Sequence, residues 1–181
     1  MEIIKTTLEG CFLVVPLIHQ DERGTFSETF NEQAFHATTG LKTRFVQDNQ
    51  SISSRGVLRG LHFQTGAYAQ AKLVRVIEGS VLDIVVDLRK ESATFGKHFS
   101  VLLDAEKRQQ LFVPRGFAHG FVTLSERSIF AYKCDNYYHK ASESGILYND
   151  ATLALDWHLG KEELVISEKD LKLPTFSEAI Q

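Results

Sequence analysis

Arg59, His62 and Lys72 lie within fourteen residues of one another and could act together in catalysis. They supply a fixed positive charge, a side chain that can exchange a proton near pH 7 and an amine. The segments that carry them, 57–64 and 72–77, are otherwise apolar and β-branched, which predicts two strands joined by a short loop. Each residue alone could be a solvated cation or a structural histidine. Three ionisable groups on strands built for burial instead indicate a functional site.

Such a set would be suited to removing a proton next to a carbonyl. A histidine takes the proton, an adjacent carboxylate orients it, a lysine stabilises the developing oxyanion and a phenol returns a proton. Hydrolysis by a Ser-His-Asp triad is less well supported, because no serine lies in a nucleophile-elbow sequence. The candidate carboxylates and phenols are Asp156, Asp170, Tyr132, Tyr137 and Tyr138.

The seven histidines give little support to the alternative of a metal-dependent jelly roll. No two of them are two or four residues apart, so the close pair of ligands that one strand usually supplies is missing. Gln64 stands two residues after His62, where a second ligand on the same strand face would be expected. We therefore predict no metal, and ligands gathered from distant strands are the remaining alternative.

Composition predicts one domain over residues 1–181, with 43% hydrophobic residues available for its core. The net charge is −3 and no basic run occurs, which argues against a nucleic-acid partner. No segment reaches the ~20 apolar residues of a membrane span, and residues 1–7 lack the apolar stretch of a signal peptide. Cys11 and Cys134 show neither metal-ligand spacing nor a disulfide framework, which fits a soluble protein of the reducing cytoplasm.

Short apolar or alternating segments recur along the chain with little helix between them. This pattern predicts an all-β jelly roll, a sandwich or barrel of about nine or ten strands, with short helices mainly in the tail after residue 151. One further helix is expected from Asn31, a capping residue, to Gly40, which would end it. The expected strands are 11–18, 25–30, 45–51, 57–64, 72–77, 81–88, 97–103, 110–114, 117–123 and 128–134.

Many of these stretches resemble the dTDP-4-dehydrorhamnose 3,5-epimerases of deoxysugar biosynthesis. They occur in the family's order over almost the whole chain, and this ordered series is far more specific than a lone Arg-Gly-Leu-His motif. The matching stretches are Asp21–Gly24, Phe45–Asn49, Val57–Gln64, Lys72–Arg75, Asp83–Arg89, Phe112–Phe121, Tyr132–Tyr138 and Ser167–Asp170.

The resemblance implies a cofactor-free, cupin-like jelly roll that forms a homodimer by exchanging an N-terminal strand. It also implies conversion of dTDP-4-dehydro-6-deoxy-D-glucose to dTDP-4-dehydro-L-rhamnose. The family's general base matches His62 and its orienting carboxylate Asp170, while Lys72 matches the residue that supports the enolate oxygen and Tyr132 the proton-returning acid. Enzymes that epimerise one carbon or move the ketone share most of these motifs and are alternatives. A cupin-like binding module or metal enzyme is a more distant one.

The resemblance also implies a set of substrate contacts. Nucleotide or phosphate contacts match Arg23, Glu28, Gln47, Asn49 and Arg59, and further ligand contacts match His119, Glu143 and Lys169. Tyr138 matches the aromatic residue that stacks on thymine, although it could instead serve in packing. Phe26 and Asp48, which lie beside these positions, complete the predicted set.

Two features of the sequence bear on this match. Strict strand alternation would point Arg59 and His62 to opposite faces, and a bend or bulge at Gly60 would be needed to turn both inward. The family often has Trp-Pro where this chain has Trp157-His158, and one extra residue separates Trp157 from Lys169. The assignments of Lys169 and Asp170 therefore depend on how this extra residue is aligned, whereas the assignment of His62 does not.

Overall fold

The computed structural model describes residues 1–181, and most of its regular structure is β-strand. Fourteen strands are joined by turns and two short α-helices, which confirms the predicted all-β class. The strands are β1 (Glu2–Lys5), β2 (Phe12–Val15), β3 (His19–Asp21), β4 (Gly24–Phe26), β5 (Gln47–Ser54), β6 (Val57–Gln64), β7 (Lys72–Glu78), β8 (Ser80–Asp87), β9 (His98–Asp104), β10 (Gln110–Val113), β11 (Phe117–Thr123), β12 (Arg127–Cys134), β13 (Glu143–Gly145) and β14 (Val165–Ile166). The helices are α1 (Glu32–Thr39) and α2 (Phe176–Ala179).

The strands form two six-stranded sheets and a separate hairpin. The first sheet has the order β1-β2-β10-β7-β12-β5, and the second has the order β13-β6-β11-β8-β9 with β14 beside β6. The β3–β4 hairpin belongs to neither sheet. Although β6 and β7 follow one another in the chain, they lie in different sheets. The topology therefore places Arg59 and His62 in one sheet and Lys72 in the other.

Side chains that point between the two sheets form the main core. Alternate residues of a strand share a face, so each strand contributes every second residue to this layer. Val74 and Val76 of β7, Val85 of β8 and Phe130 of β12 are all buried in it. Burying a side chain of this kind contributes roughly 1.5–3 kcal/mol, and the layer holds the sheets face to face.

The outer face of each sheet is covered by a different segment. α1 packs the fully buried ring of Phe35 against Phe12 and Phe112 of the first sheet. The segment after β13, which we call the tail (residues 146–181), covers the second sheet. Its buried Trp157 donates a hydrogen bond to the carbonyl of Tyr148 at 2.8 Å. Phe176 is buried in the same apolar cluster as Trp157, so the tail is anchored before and after residues 165–170, which contribute to the site described below.

α1 begins and ends where the sequence predicts. Asn31 Oδ1 accepts a hydrogen bond from the N–H of Ala34 at 3.0 Å, and Gly40 ends the helix with a φ of 72°. The expectation of helices mainly in the tail is wrong in one respect, since the longest helix is α1. Helical structure after residue 151 is limited to the single 3-10 turns 161–163 and 170–172 and to α2. No helix has the length and apolar character needed to cross a membrane.

The expected strand 25–30 is also wrong, because β4 ends at Phe26. Polar contacts from another part of the chain take the place of strand pairing here. Arg108 donates hydrogen bonds to the hydroxyls of Thr25 and Ser27, and the side chain of Gln110 donates to the carbonyl of Thr29 at 2.6 Å. Alternation alone could not reveal these contacts, since their donors lie about eighty residues further along the chain.

Asp87, at the end of β8, organises the loop that follows it. Its fully buried carboxylate accepts hydrogen bonds from the Arg89 guanidinium at 2.7 and 2.8 Å and from the hydroxyls of Ser92 and Thr94 at 2.6 Å. Burial acts to raise the pKa of Asp87, but these donors outweigh it and lower the pKa to about 2. The carboxylate is therefore ionised and structural.

Candidate active site

A cavity of about 540 Å³ opens between the two sheets, and ionisable side chains from both sheets and the tail line it. This volume lies in the range of small-molecule sites. A smaller space of about 110 Å³ shares His62, Lys72 and Tyr132 with it, so these three residues lie where the two spaces meet. The polar residues that line the larger cavity are Gln50, Ser51, Arg59, His62, Lys72, His119, Tyr132, Ser167, Lys169 and Asp170.

A bulge at Gly60 turns Arg59 and His62 toward the same cavity. The pairing of β6 with β11 shifts register at this point, and two residues of β6 lie opposite Gly120. Gly60 has a φ of 124°, and a Cβ added there would lie 2.6 Å from the Cα of Gly120. The bulge at Gly60 that the predicted site required is therefore present.

His62 reaches the cavity from β6 and is paired with Asp170 of the tail. His62 Nε2 lies 2.8 Å from Asp170 Oδ1, and the backbone N–H of Gly60 donates to the other carboxylate oxygen at 3.2 Å. Burial acts to raise the pKa of Asp170, but its hydrogen bond and charge interaction with His62 outweigh this and lower the pKa. Asp170 is thus a carboxylate that holds one ring nitrogen of His62 and leaves the other for a ligand.

Lys72 of β7 and Tyr132 of β12 line the cavity from the opposite sheet. The two side chains are neighbours, with Lys72 Nζ 5.9 Å from the centre of the Tyr132 ring. Desolvation by burial lowers the pKa of Lys72 and raises that of Tyr132, so the phenol is protonated at neutral pH. Lys72 makes no ion pair with any carboxylate of the chain. Its amine is available to a ligand oxygen that develops negative charge.

Arg59 brings a second cation to the cavity. Its Nε donates a hydrogen bond to the hydroxyl of Ser53 at 3.1 Å, and no carboxylate neutralises its charge. A guanidinium held by one nitrogen presents its remaining N–H groups as a planar fork, which fits the oxygens of a phosphate. Arg59 is therefore placed to bind an anionic ligand.

A second histidine–carboxylate pair lies beside the first. His119 pairs directly with His62 across β11 and β6, and its Nε2 lies 2.9 and 3.1 Å from the two carboxylate oxygens of Asp83 on β8. The side chain of His119 is 7% exposed and that of Asp83 is fully buried. His119 still contributes to the cavity lining, so the structure brings this predicted residue to the site.

Hydrogen bonds join five further predicted contacts at one rim of the site. The carboxylate of Glu143 accepts from the hydroxyl of Tyr138 at 2.9 Å and lies 2.5 Å from Lys169 Nζ. Gln47 donates to Asn49 at 3.2 Å and accepts from the backbone N–H of Tyr138 at 3.0 Å. The rim therefore connects β5, the loop after β12 and the tail, with an exposed aromatic ring among its amides.

A family model described as dTDP-4-dehydrorhamnose 3,5-epimerase matches residues 5–178. The chain belongs to this family. A curated dTDP-4-dehydrorhamnose 3,5-epimerase from Escherichia coli (strain K12) is 49% identical over 181 residues, which cover all of this chain and 97% of the relative.

Solved structures of epimerases share the fold. That of dTDP-4-dehydrorhamnose 3,5-epimerase from Elizabethkingia anophelis NUHP1 has a TM-score of 0.96 and 51% identity, covering 100% of this chain and 99% of that one. A dTDP-6-deoxy-D-glucose-3,5-epimerase from Legionella pneumophila Philadelphia 1, in complex with dTDP-4-keto-L-rhamnose, has a TM-score of 0.93 and 45% identity, covering 97% and 93%. The predicted cupin-like jelly roll is confirmed.

Three of the predicted substrate contacts lie on or beside the β3–β4 hairpin, outside this cavity. The side chain of Arg23 is 85% exposed and pairs with Asp21, and Phe26 is 69% exposed. Glu28 accepts a hydrogen bond from the side chain of Asn31 at 3.2 Å. None of the three lines the cavity of its own chain.

Asp48, another predicted substrate contact, also lies outside the cavity lining. Alternation along β5 points Gln47 and Asn49 inward and Asp48 outward. On the outer face, the Asp48 carboxylate lies 2.7 Å from Lys133 Nζ. Proximity in sequence to two inward amides placed Asp48 in the predicted set, and strand alternation removes it from this cavity.

The sequence prediction missed several polar residues near the site, among them Asp83, Ser51 and Ser53. Asp83 was part of a matching stretch but received no role, and Ser51 and Ser53 were not singled out. A signal for Asp83 was present, because a carboxylate inside the apolar segment 81–86 must find a buried partner. Of the alternative candidates, Asp156 and Tyr137 are exposed and do not line the cavity.

The arrangement allows proton transfer on both faces of a bound molecule. His62 belongs to the second sheet, whereas Tyr132 and Lys72 belong to the first. A ligand held between the sheets would therefore meet a base on one side and an acid with a neighbouring amine on the other. In the epimerase family this geometry suits inversion at a carbon next to a ketone, since the proton must leave from one face and return to the other.

Proposed function

We propose that the protein is a dTDP-4-dehydrorhamnose 3,5-epimerase that converts dTDP-4-dehydro-6-deoxy-D-glucose to dTDP-4-dehydro-L-rhamnose. The observation that carries this proposal is the position of His62 and Tyr132 on opposite sheets across one cavity, with Lys72 beside the tyrosine. The family match and the relatives named above support the same activity. The guanidinium of Arg59, which has no carboxylate partner, supports a ligand that carries phosphate.

In the proposed mechanism, His62 is the general base. The ring nitrogen that is not bonded to Asp170 takes the proton from C3 of the sugar, and the C–H electron pair moves into an enolate whose charge lies on the C4 oxygen. Lys72 donates a hydrogen bond to that oxygen and stabilises it. Asp170 holds the imidazole in place and stabilises the imidazolium that forms.

Tyr132 completes the inversion from the opposite face. Its hydroxyl donates a proton to C3, the enolate electrons return to form the ketone, and the resulting phenolate regains a proton from solvent. The same steps apply at C5, because the C4 ketone acidifies the protons on both neighbouring carbons. The imidazolium of His62 then releases its proton to solvent. Each cycle therefore replaces the proton taken from the carbon with one donated by Tyr132, and the oxidation state of the sugar is unchanged.

The proposed substrate contacts extend this mechanism to the nucleotide. Arg59 would bind phosphate, Gln47 and Asn49 would bind polar atoms of the nucleotide, and Tyr138 would stack on thymine. His119, Glu143 and Lys169 would complete the ligand contacts from the cavity wall and the rim. Residues 1–181 are taken as one domain in this proposal, because the tail supplies both Asp170 and Lys169. Free, buried thiols at Cys11 and Cys134 support the proposed cytoplasmic location.

We also propose that the enzyme is a homodimer in which the hairpin of one subunit completes the site of the other. Arg23 and Phe26 are exposed on the β3–β4 hairpin and contact nothing in their own cavity, which supports this role. The outer face of the first sheet also leaves Ile52 and Ile77 exposed, at 55% and 42%. Apolar residues in such positions favour association between copies.

A mixing experiment tests the dimer proposal. The variants Arg23→Ala and His62→Asn would each be nearly inactive alone. Random assembly of the two from equal amounts should restore about a quarter of wild-type activity, because half of the dimers are mixed and each mixed dimer has one intact site. No recovery in a sample shown to contain mixed dimers would contradict a hairpin that acts in the partner's site.

Product analysis tests the proposed reaction itself. The purified protein is incubated with dTDP-4-dehydro-6-deoxy-D-glucose, and the sugar nucleotide is identified by proton NMR. Coupling constants of an L-rhamno configuration, inverted at both C3 and C5, are expected. Unchanged substrate, inversion at one carbon or migration of the ketone would overturn the assignment as a 3,5-epimerase.

A further inference from the structure

Ser51 carries the one buried side-chain nitrogen or oxygen atom in the chain that has no hydrogen-bond partner. The residue lies on the inward face of β5 and lines the cavity together with His62 and Tyr132. Buried polar side-chain atoms in native proteins are nearly always paired, because an unpaired one keeps the cost of losing its water. An unpaired hydroxyl on the wall of a ligand cavity points to a partner that arrives with the ligand.

The protein itself offers Ser51 no partner, although the hydroxyls nearest to it along the sheet are satisfied. Ser53, two residues further along the same face, accepts a hydrogen bond from Arg59 Nε at 3.1 Å. Ser128, which pairs with Ser53 on β12, bonds to the Thr123 hydroxyl at 2.8 Å. The residue opposite Ser51 is Phe130, whose fully buried ring presents no acceptor.

The position of Ser51 indicates which part of a ligand it would meet. Asn49, on one side of it along β5, pairs with Tyr132, and Ser53, on the other side, holds Arg59. Residues two apart on a strand are separated by about 6.6 Å. The hydroxyl of Ser51 therefore lies between the side chain that would return a proton to the sugar and the guanidinium that would bind phosphate.

We infer that Ser51 is a substrate-binding residue whose hydroxyl donates a hydrogen bond to an oxygen of the bound sugar nucleotide. This oxygen belongs to the hexose or to the phosphate next to it, since both would lie between Tyr132 and Arg59. The inference rests on the proposed function and adds a contact to it. It also predicts that removing the hydroxyl weakens binding without weakening the fold, a combination that a structural serine would not give.

Isothermal titration calorimetry and thermal unfolding of wild type and Ser51→Ala test the inference. The ligands are dTDP and dTDP-D-glucose, which carries a hexose but no 4-ketone. We expect Ser51→Ala to bind dTDP-D-glucose about three- to tenfold more weakly, which corresponds to one lost hydrogen bond. Its Tm without ligand should equal or exceed that of wild type, because the variant removes an unpaired buried hydroxyl.

The two ligands distinguish the two sources of the oxygen. A loss confined to dTDP-D-glucose assigns the bond to the hexose, and an equal loss for dTDP assigns it to the phosphate. Ser54→Ala is the matched control, because Ser54 is exposed on the outward face of the same strand and should leave both affinities unchanged.

Unchanged affinities for both ligands in Ser51→Ala, or a lowered Tm in the absence of ligand, would overturn the inference and leave the proposed function standing. A wild-type protein that binds neither dTDP nor dTDP-D-glucose would overturn both together. The comparison of wild type with the variant therefore separates the two failures.

Discussion

Two histidine–carboxylate pairs lie side by side in this molecule and differ in where their carboxylates come from. His62 receives Asp170 from the tail, and its side chain is 29% exposed. His119, its direct neighbour across β6 and β11, receives Asp83 from the adjacent strand β8, and its side chain is 7% exposed. An imidazole–carboxylate pair thus occurs twice, once at the cavity surface and once buried within the sheet.

The difference shows how burial can give two similar histidine–carboxylate pairs different roles. A base must reach a ligand with one nitrogen while a carboxylate holds the other, and His62 meets both conditions. His119 and Asp83 are hydrogen-bonded to each other within the second sheet, next to the strand that carries His62. Asp87 lies four residues after Asp83 on the same face of β8. Its carboxylate has a purely structural role, because all its hydrogen-bond donors come from the loop after β8.

The sharpest way to break this comparison is to replace each histidine. His62→Asn should lower kcat/KM by about 10³-fold or more, because it removes the proposed general base. His119→Asn keeps a polar side chain in the wall and should cost at least tenfold less. Steady-state kinetics on dTDP-4-dehydro-6-deoxy-D-glucose measures both. A larger loss in His119→Asn than in His62→Asn would reverse the roles.

The next largest effect is expected for Lys72→Met. The amine should contribute about 10²-fold to kcat by stabilising the enolate oxygen, so the variant should lose that factor. Its free energy of unfolding should stay equal or increase, because a desolvated amine without an ion pair is replaced by an apolar chain of similar length. Lys107→Met, at an exposed turn, is the control for loss of a lysine. A variant with full activity would remove Lys72 from the mechanism.

The two carboxylates should separate activity from stability. Asp170→Asn should lower kcat about tenfold, because it removes the carboxylate that orients the proposed base. Asp83→Asn should instead lower the free energy of unfolding by about 2 kcal/mol and lower kcat less than Asp170→Asn does. Steady-state kinetics and denaturant unfolding measure the two effects. Equal losses of kcat and of stability in the two variants would show that the two histidine–carboxylate pairs have the same role.

The smallest effect on activity is expected at Asp87. Its pKa is lowered from 3.8 to about 2, so its contribution to stability is present above pH ~4 and is lost as the pH falls toward 2. Asp87→Asn should lose roughly 2 kcal/mol of unfolding free energy at pH 7 and flatten the pH dependence below pH 4, while kcat/KM stays unchanged. If the unfolding free energy of Asp87→Asn still fell below pH 4 as it does in wild type, Asp87 would not be the group that causes this pH dependence.

The fold class could be predicted because its signals are local, since strand alternation, the Asn31 cap and Gly40 are properties of neighbouring residues. The ordered family motifs gave His62 and Tyr132 as candidate catalytic residues, and the structure brings both to one cavity. The bulge at Gly60 was expected because alternation alone could not bring Arg59 and His62 to one face. Its actual form depends on Gly120, sixty residues away, which lies too close to admit a side chain.

The remaining features depend on contacts between distant segments. The irregular segment 27–30, where a strand was expected, is held by hydrogen bonds from Arg108 and Gln110, and no pattern within residues 25–30 indicates these contacts. The proposed role of Ser51 follows from its missing hydrogen-bond partner, which only the positions of all its neighbours can reveal. Asp48 is the opposite case, because strand alternation alone places it on the outer face. It was included among the predicted contacts because its neighbours Gln47 and Asn49 match family contacts.

Hydrogen exchange at the sugar carbons tests the central claim most directly. The protein is incubated with dTDP-4-dehydro-6-deoxy-D-glucose in deuterated water, and proton NMR follows the signals of C3 and C5. We expect deuterium to enter at both carbons with wild type and with His119→Asn, and at neither with a folded His62→Asn variant. Exchange at the wild-type rate in His62→Asn, or none in wild type, would contradict His62 as the base of an epimerase.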